Sequence, residues 1–152
     1  MIKIVAVGKI KESFLKDGID EYVKRIKAFD KIEIIEVKEY NTDNIKQNIL
    51  NEGEAILKEI NDKDYLITLE IKGKELDSIE LSQKIDEIKC YNSSTITFVI
   101  GGSNGLSPMV SEKSNFKLSF SKMTFPHQLM RLILVEQIYR ANTILANKEY
   151  HK

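Results

Sequence analysis

Cysteine and histidine are scarce in this chain of 152 residues. Cys90 is the only cysteine, so the chain forms no internal disulfide, and a single thiol fits a reducing compartment. One cysteine and two histidines are too few for a zinc site of the usual kind, so no metal is expected.

Long apolar runs are also missing. No stretch approaches the roughly 20 apolar residues that a membrane-spanning helix needs. The first residues enter a strand-like pattern at once, without the basic region, apolar segment and cleavage site of a signal peptide. We therefore expect a cytoplasmic protein with no membrane partner. Its length and its composition, 42% hydrophobic and 30% charged, predict one domain over residues 1–152.

The chain as a whole has no excess of either charge, because 23 basic residues balance 23 acidic ones. This balance gives no indication of nucleic-acid binding. The distribution is uneven, however, since residues 113–152 hold seven Lys/Arg and two Asp/Glu. A basic C-terminal quarter suits a polyanionic substrate, although uneven surface charge without a function explains the pattern equally well.

Apolar runs alternate with segments of helical periodicity along the chain. The predicted strands span residues 2–7, 32–37, 65–71, 96–100 and 116–120. The nearly continuous β-branched run at residues 2–7 is typical of a strand buried on both faces of a parallel sheet. Glu33 and Glu36 interrupt the second strand and place it near a sheet edge. The alternation predicts an α/β fold with a mostly parallel sheet and helices on both faces.

The helix after Pro126, expected to run to about Ala146, is apolar around most of its circumference. Such a helix must be covered on both sides. We expect one side on the sheet and the other against a second copy of the chain, which predicts a homodimer. The alternative is that the first helix of the same chain covers it.

Two loops are candidate ligand sites. Glycines at 101, 102 and 105 follow the fourth strand and would let a ligand approach the backbone closely, but they fit neither G-x-G-x-x-G nor a P-loop. An ordinary glycine turn is the alternative. The loop Phe120–Pro126 has main-chain groups for a purine, with Met123 and Phe125 as apolar walls. Its alternative is a loop that only starts the last helix.

The C-terminal quarter carries further candidates. Arg131 lies among apolar residues, and a buried arginine needs an anion or several acceptors. Glu136 and Arg140 are spaced for a structural ion pair. The tail residues Tyr150 and His151 have groups that stack on and contact RNA, although chain ends usually fray.

Several of these motifs together resemble one known family, that of the ribosomal large-subunit pseudouridine methyltransferase H. The resemblance covers the chain in order and rests on Gly8-Lys9-Ile10-Lys11, Thr68-Leu69-Glu70, Val99–Gly105, Leu118–Gln128, Glu136–Ala141 and Tyr150-His151-Lys152.

The resemblance implies a SPOUT-type fold with a C-terminal trefoil knot and a homodimer. It implies methylation of N3 of a pseudouridine in 23S (large-subunit) rRNA on the assembled ribosome, with S-adenosylmethionine as the methyl donor. The implied cofactor contacts are Leu69, Gly101, Phe120, Ser121, Lys122, Met123, Thr124 and Phe125.

The resemblance also implies that Tyr150 and His151 help to complete the active site, reaching into the pocket of the partner chain. N3 must lose a proton, for which His151 or Glu136 is the candidate base. Arg131 and Arg140 are candidates for contacts to phosphate or uracil carbonyl groups, because arginine does not act as a base at neutral pH. Two other functions stay open: a SPOUT enzyme that acts on another RNA base or a ribose hydroxyl, and a non-catalytic ribosome-binding protein.

Overall fold

The computed structural model describes residues 1–152 and contains five strands and five helices that alternate along the chain. The strands are β1 (Ile2–Val7), β2 (Ile32–Val37), β3 (Tyr65–Glu75), β4 (Ile96–Ile100) and β5 (Phe116–Ser119). The helices are α1 (Ser13–Ile26), α2 (Ile45–Lys58), α3 (Ser78–Tyr91), α4 (Pro108–Lys113) and α5 (His127–Leu145). This alternation confirms the α/β class.

The strands form a single parallel sheet in the order β2-β1-β4-β3-β5. β2 is an edge strand, as predicted, and its Glu33 and Glu36 are exposed. Because all strands run in the same direction, their carboxyl ends meet along one side of the sheet, here called the carboxyl edge. Both candidate loops follow strands at this edge.

Two layers of helices cover the sheet. Alternate side chains of β1 point to opposite faces: Ile2, Ile4 and Ala6 join the larger core with α1, α3 and α5. Val5 and Val7 join the smaller core with α2 and α4. All six residues of β1 are buried, which explains why its sequence is apolar except at Lys3, whose Nζ pairs with Asp64 Oδ2 at 3.0 Å.

β3 is longer than predicted, because it ends at Glu75 and not at Ile71. The predicted end of this strand at residue 71 is therefore wrong. Leu118 of β5 pairs with Leu69 and again with Lys74, so residues 70–73 bulge out and pairing resumes after them. Gly73 permits this, since a Cβ there would lie 2.7 Å from the Lys117 carbonyl group.

α5 packs between α1 and α3 on one face of the sheet. Leu132 contacts α1 at Gly18, and Gln137 Oε1 accepts a hydrogen bond from Ser78 Oγ of α3 at 2.7 Å. Cover by helices of the same chain therefore accounts for much of the apolar circumference. Leu129 and Ile133 stay partly exposed, and the predicted contact with a second copy of the chain stays a prediction. None of the five helices has the length and hydropathy to cross a bilayer.

Candidate functional site

A large cleft opens at the carboxyl edge, beside the ends of β3, β4 and β5. Its volume is about 1010 Å³, and the first turn of α5 closes one end with His127 and Met130. Three segments form its walls: the β3 bulge, the glycine loop after β4, and the loop after β5. Clefts at the carboxyl ends of parallel strands are where α/β proteins bind small ligands.

The glycine loop, residues 101–105, forms one wall. Gly105 N–H donates to the Gly102 carbonyl oxygen at 3.0 Å, and the two residues form an isolated bridge. A Cβ at Gly101 would lie 3.2 Å from the Gly105 carbonyl group, and one at Gly102 would lie 2.9 Å from Val7 Cγ1. Only glycine permits so compact a turn, and the resulting wall is mostly main chain.

The loop after β5, residues 120–125, forms the opposite wall. It is shaped from within, because Ser121 Oγ accepts from the Met123 N–H at 3.0 Å. The Ser121 carbonyl oxygen accepts from Ser119 Oγ, also at 3.0 Å. No main-chain N–H of residues 120–125 donates to a backbone carbonyl. Apart from the Met123 N–H, these amides are unpaired, and the Met123 side chain is 73% exposed beside them. The loop thus presents both main-chain hydrogen-bonding groups and an apolar surface.

The β3 bulge forms the third wall and holds a carboxylate, Glu70, in a fixed position. Its Oε1 accepts from Ser111 Oγ at 2.9 Å, and its Oε2 lies 2.6 Å from Thr68 Oγ1, which donates to it. A fixed carboxylate at a cleft wall can accept hydrogen bonds from a ligand hydroxyl or ammonium group.

Seven of the eight residues expected to contact the cofactor line this one cleft: Leu69, Gly101, Phe120, Ser121, Met123, Thr124 and Phe125. Lys122 is exposed and does not line it. The structure thus brings most of the set together, while the contact with a cofactor stays a prediction. The cleft is also lined by residues that were not predicted to line it, among them Glu70, Lys72, His127 and Met130. Glu70 had a signal, since it is a carboxylate at the end of an apolar strand run.

Four of the five predicted catalytic residues form a separate group, the tail cluster, made of Glu136, Arg140, Tyr150 and His151. Glu136 Oε1 accepts from Arg140 Nε at 3.0 Å, from Arg140 Nη2 at 2.5 Å and from the Tyr150 hydroxyl at 3.0 Å. Arg140 Nη1 lies 3.1 Å from His151 Nδ1. The chain end is therefore hydrogen-bonded to α5.

The hydrogen bonds assign protonation states within the tail cluster. Guanidinium groups only donate, so His151 Nδ1 accepts from Arg140, and a neutral imidazole then carries its proton on Nε2. Burial raises the pKa of the Tyr150 hydroxyl, and its contacts with Tyr22 and Glu136 raise it further, so Tyr150 stays a neutral phenol. The hydrogen bond to Glu136 raises the pKa of Arg140, which stays a cation.

Arg131 does not line the cleft and does not belong to the tail cluster. It is 2% exposed, and its Nη1 contacts Glu36 Oε2 at 2.5 Å while its Nη2 donates to the Gly8 carbonyl oxygen at 3.0 Å. The buried arginine thus has an anion and a carbonyl acceptor, which together link β2 and the segment after β1 to α5.

No residue of the tail cluster lines the cleft of its own chain. Glu136 and Arg140 lie about 14 and 20 Å along α5 from His127, given the rise of a helix per residue. Within one chain, the cleft therefore lies at the first turn of α5, and the tail cluster lies further along the helix toward its C-terminus.

Comparison with known proteins bears on this arrangement. Residues 1–151 match the family described as "Predicted SPOUT methyltransferase". The chain belongs to the SPOUT methyltransferase family. Over 157 aligned positions, covering 99% of both chains, it is 54% identical to the "Putative ribosomal RNA large subunit methyltransferase H" of Methanococcus vannielii. It is 52% identical, with the same coverage, to the ribosomal RNA large subunit methyltransferase H of Clostridium botulinum strain Hall.

The family assignment gives the cleft its general chemistry. A SPOUT methyltransferase needs a methyl donor, and this one has a cleft whose walls combine unpaired main-chain groups with apolar side chains. The residues of the cleft fit a methyl-donor cofactor. The glycines of one wall have no side chains and leave room for it, and the exposed Met123 of the other wall can pack against it. The family resemblance stated from the sequence is confirmed.

Proposed function

We propose that this protein is a homodimeric methyltransferase that uses S-adenosylmethionine to methylate N3 of a pseudouridine in large-subunit rRNA, on the assembled ribosome in the cytoplasm. The observation that carries the proposal is the cleft, which gathers seven of the eight expected cofactor residues. The names of relatives that are 52–54% identical over 99% of the chain support rRNA as the substrate.

The walls of the cleft suit an adenosine group. Main-chain N–H groups of residues 120–125 would bind the purine edge, and Leu69 and Met123 would cover its faces. The Glu70 carboxylate would accept from a hydroxyl or from the ammonium group. When bound, the cofactor supplies an electrophilic methyl group on a sulfonium.

We further propose that the chain forms the trefoil knot of the SPOUT fold. β5 pairs with β3 both before and after the bulge at residues 70–73, so β3 and β5 are closely joined at the cleft. Threading of the segment after β4 past the paired β3 and β5 strands would fix the glycine loop and the loop after β5, which form two walls of the cleft.

The tail cluster would act in the cleft of the partner chain. About 14 to 20 Å of α5 separates it from its own cleft, whereas two α5 helices related by a two-fold axis would bring each tail near the other cleft. The exposed surface nearby supports such a contact, since Phe14 on α1 is 68% exposed and lies one turn before Gly18, which packs on α5.

Transfer to N3 would form an N–C bond as the S–C bond of the sulfonium breaks and a neutral thioether leaves, and the N3 proton would pass to a base. Arg140 and the Nε2–H of His151 would donate to the uracil carbonyl oxygens that flank N3 and so stabilise the negative charge that develops there. Glu136 and His151 remain the candidate bases. His151 would first have to give up the bond between its Nδ1 and Arg140, whereas Glu136 Oε2 accepts only from Gln137. The main contribution of the protein is to position donor and acceptor.

The first prediction concerns the tail. Deletion of residues 150–152 removes two members of the tail cluster but no residue of the cleft. Methyl transfer to ribosomes should fall at least about 100-fold, because that is the scale of the loss when an acid–base or donor group is removed. The dissociation constant for S-adenosylmethionine, measured by calorimetry, should stay unchanged. Deletion of Lys152 alone is the matched truncation, and it should keep full activity.

A mixed dimer tests whether the tail acts across the dimer. A tail-deleted chain paired with a Ser121→Trp chain, whose cleft is filled, has one complete site only if the tail reaches the partner. Restored transfer is expected. No restoration from two inactive parents would mean that each tail acts in the cleft of its own chain, and an active tail-deleted parent would place the tail outside the active site.

The proposed function as a whole is tested by two measurements. Calorimetry should detect binding of S-adenosylmethionine, and an absence of binding would leave only a non-catalytic role. Mass mapping of large-subunit rRNA from a deletion strain should show the loss of one methyl group on a pseudouridine. Loss of a methyl group from another base or from a ribose hydroxyl would assign a different substrate to the same enzyme class.

A further inference from the structure

The segment between β1 and α1, here called the basic loop, consists of Gly8-Lys9-Ile10-Lys11. Lys9 and Lys11 are exposed, and neither side chain takes part in any of the six ion pairs of the structure. Two more lysines at the carboxyl edge, Lys72 and Lys122, are exposed and free in the same way. A chain with no net charge therefore has several unneutralised cations around its cleft.

Most carboxylates at this edge are occupied within the fold. Glu36 pairs with Arg131, Glu39 accepts from Ser103 Oγ at 3.3 Å, and Glu70 accepts from Ser111 and Thr68. Glu12, Asp43 and Glu75 are exposed carboxylates at this edge without partners. Hydroxyl donors hold Glu39 and Glu70 in place but leave their charge, so this edge carries both signs. The exposed ammonium groups of the lysines have no carboxylate partner within the fold and are left to interact with an anionic ligand.

The basic loop is fixed in position by α5. Arg131 Nη2 donates to the Gly8 carbonyl oxygen, and the Lys11 N–H donates to Gln128 Oε1, both at 3.0 Å. At its start, the Gly8 N–H donates to the Val37 carbonyl oxygen at 2.8 Å.

These anchors also place the basic loop beside the cleft. Gln128 and Arg131 lie next to His127 and Met130, the residues of α5 that line the cleft. The same turn of α5 therefore lines the cleft with two side chains and anchors the basic loop with two others.

We propose that Lys9 and Lys11 bind phosphodiester groups of the RNA strand on either side of the nucleotide in the cleft, and that Arg131 and Gln128 are positioning residues that hold the basic loop for this contact. The inference rests on the proposed function. It gives Arg131 an indirect role in place of the direct phosphate contact expected from the sequence, because a side chain that is 2% exposed and already paired does not reach a phosphate. Lysine ammonium groups suit phosphates as mobile point charges.

The test compares two double variants that lose the same charge. Lys9→Gln with Lys11→Gln alters the basic loop, and Lys31→Gln with Lys63→Gln alters exposed lysines at the opposite edge of the sheet. The dissociation constant for an RNA hairpin containing the target pseudouridine is measured over a series of KCl concentrations. The slope of log affinity against log salt should fall by about 1 per lysine in the first variant and stay unchanged in the second.

Kinetics on unmethylated ribosomes give the second readout. The basic-loop variant should show a several-fold higher KM for ribosomes with an unchanged kcat and an unchanged affinity for S-adenosylmethionine. Gln128→Leu, a milder change than any at Arg131, should raise KM in the same direction. A triple variant that combines Gln128→Leu with Lys9→Gln and Lys11→Gln should raise KM by less than the product of the two separate increases. Gln128→Leu already displaces the basic loop, so the lysines have less binding left to lose.

The outcomes separate this inference from the proposed function. Unchanged salt slopes and KM in the basic-loop variant, or equal changes in the opposite-edge variant, would overturn the inference while methylation by the wild type stands. A raised KM on ribosomes with unaltered binding to the hairpin would identify an acidic protein as the partner and also overturn it. Lysine-dependent RNA binding by a wild type that transfers no methyl group would overturn the proposed function alone.

Discussion

Glu52 shows at the residue scale how the cleft is supported from behind. It is 2% exposed, its Oε2 accepts from the Tyr40 N–H at 2.9 Å, and its Oε1 has no partner. A Cβ on Gly102 would lie 3.2 Å from this free oxygen, so Glu52 lies directly behind the glycine loop. Burial raises the pKa of Glu52. The hydrogen bond from the Tyr40 N–H lowers this pKa, and the negative charge of nearby Glu39 raises it, so that the pKa is raised overall.

The sign of the pH effect follows from this raised pKa. The folded chain binds the Glu52 proton more tightly than the unfolded chain, so the carboxyl destabilises the fold as pH rises from its ordinary pKa through its folded pKa. Glu52→Gln should raise the free energy of unfolding by about 1 kcal/mol at about pH 8 and have little effect at about pH 4, measured with urea. Glu54→Gln, at an exposed position on the same helix, is the control. A gain that is equal at both pH values would contradict the prediction.

The sequence predicted which loops form the cleft better than it predicted which partners surround a single side chain. Glycines after an apolar strand and a polar loop before a proline identified two walls of the cleft. Arg131 was recognised as needing an anion, but its partner Glu36 is 95 residues away along the chain. No local pattern identifies such a pair, because only the sheet order brings β2 and α5 together.

At the scale of elements, β3 has the feature that shapes the cleft. Its bulge depends on Gly73, where the backbone of Lys117 is too close for any side chain. Gly73→Ala should therefore displace β5 and lower the free energy of unfolding by about 1–3 kcal/mol, as overpacking usually does. It should also weaken cofactor binding, because the bulge residues line the cleft. Urea unfolding and calorimetry measure the two effects.

Gly18→Ala is the matched control for Gly73. A Cβ there would meet Leu132 Cδ1 at 3.0 Å, but this neighbour is the end of a flexible side chain. Alanine also favours a helix, so the change should stay within about 1 kcal/mol. Similar losses at both positions would contradict the role assigned to the bulge.

Helices and strands were predictable where the pattern is local. The Asp77–Glu80 capping box starts α3, with Glu80 N–H donating to Asp77 Oδ1 at 2.7 Å and Asp77 N–H donating to Glu80 Oε1 at 2.9 Å. The end of β3 was not predictable, because a Lys-Gly-Lys sequence normally marks a turn. Here pairing with β5, which lies more than 40 residues later, continues the strand through it.

At the scale of the whole molecule, the α/β class follows from periodicity, but the packing of α5 does not. Its sequence is apolar around most of the helix and demands cover, without indicating whether the cover comes from the same chain or from another. The structure assigns α1 and α3 of the same chain to much of this surface. The apolar surface of α5 that is left for a partner chain is therefore smaller than its sequence suggested. This surface centres on Leu129, Ile133 and the neighbouring Phe14 of α1.

The last prediction tests this narrower surface. Ile133→Glu places a carboxylate from each chain in the proposed interface, and an unpaired buried charge is costly. The dissociation constant of the dimer, from sedimentation, should rise at least about 100-fold, and methyl transfer should fall with it, since each cleft would lose the tail of its partner. Ile45→Glu, at a position that is 57% exposed on α2 across the sheet, should leave a wild-type dimer. An intact and active Ile133→Glu dimer would move the interface away from α5, and each tail would then have to reach a cleft by another route.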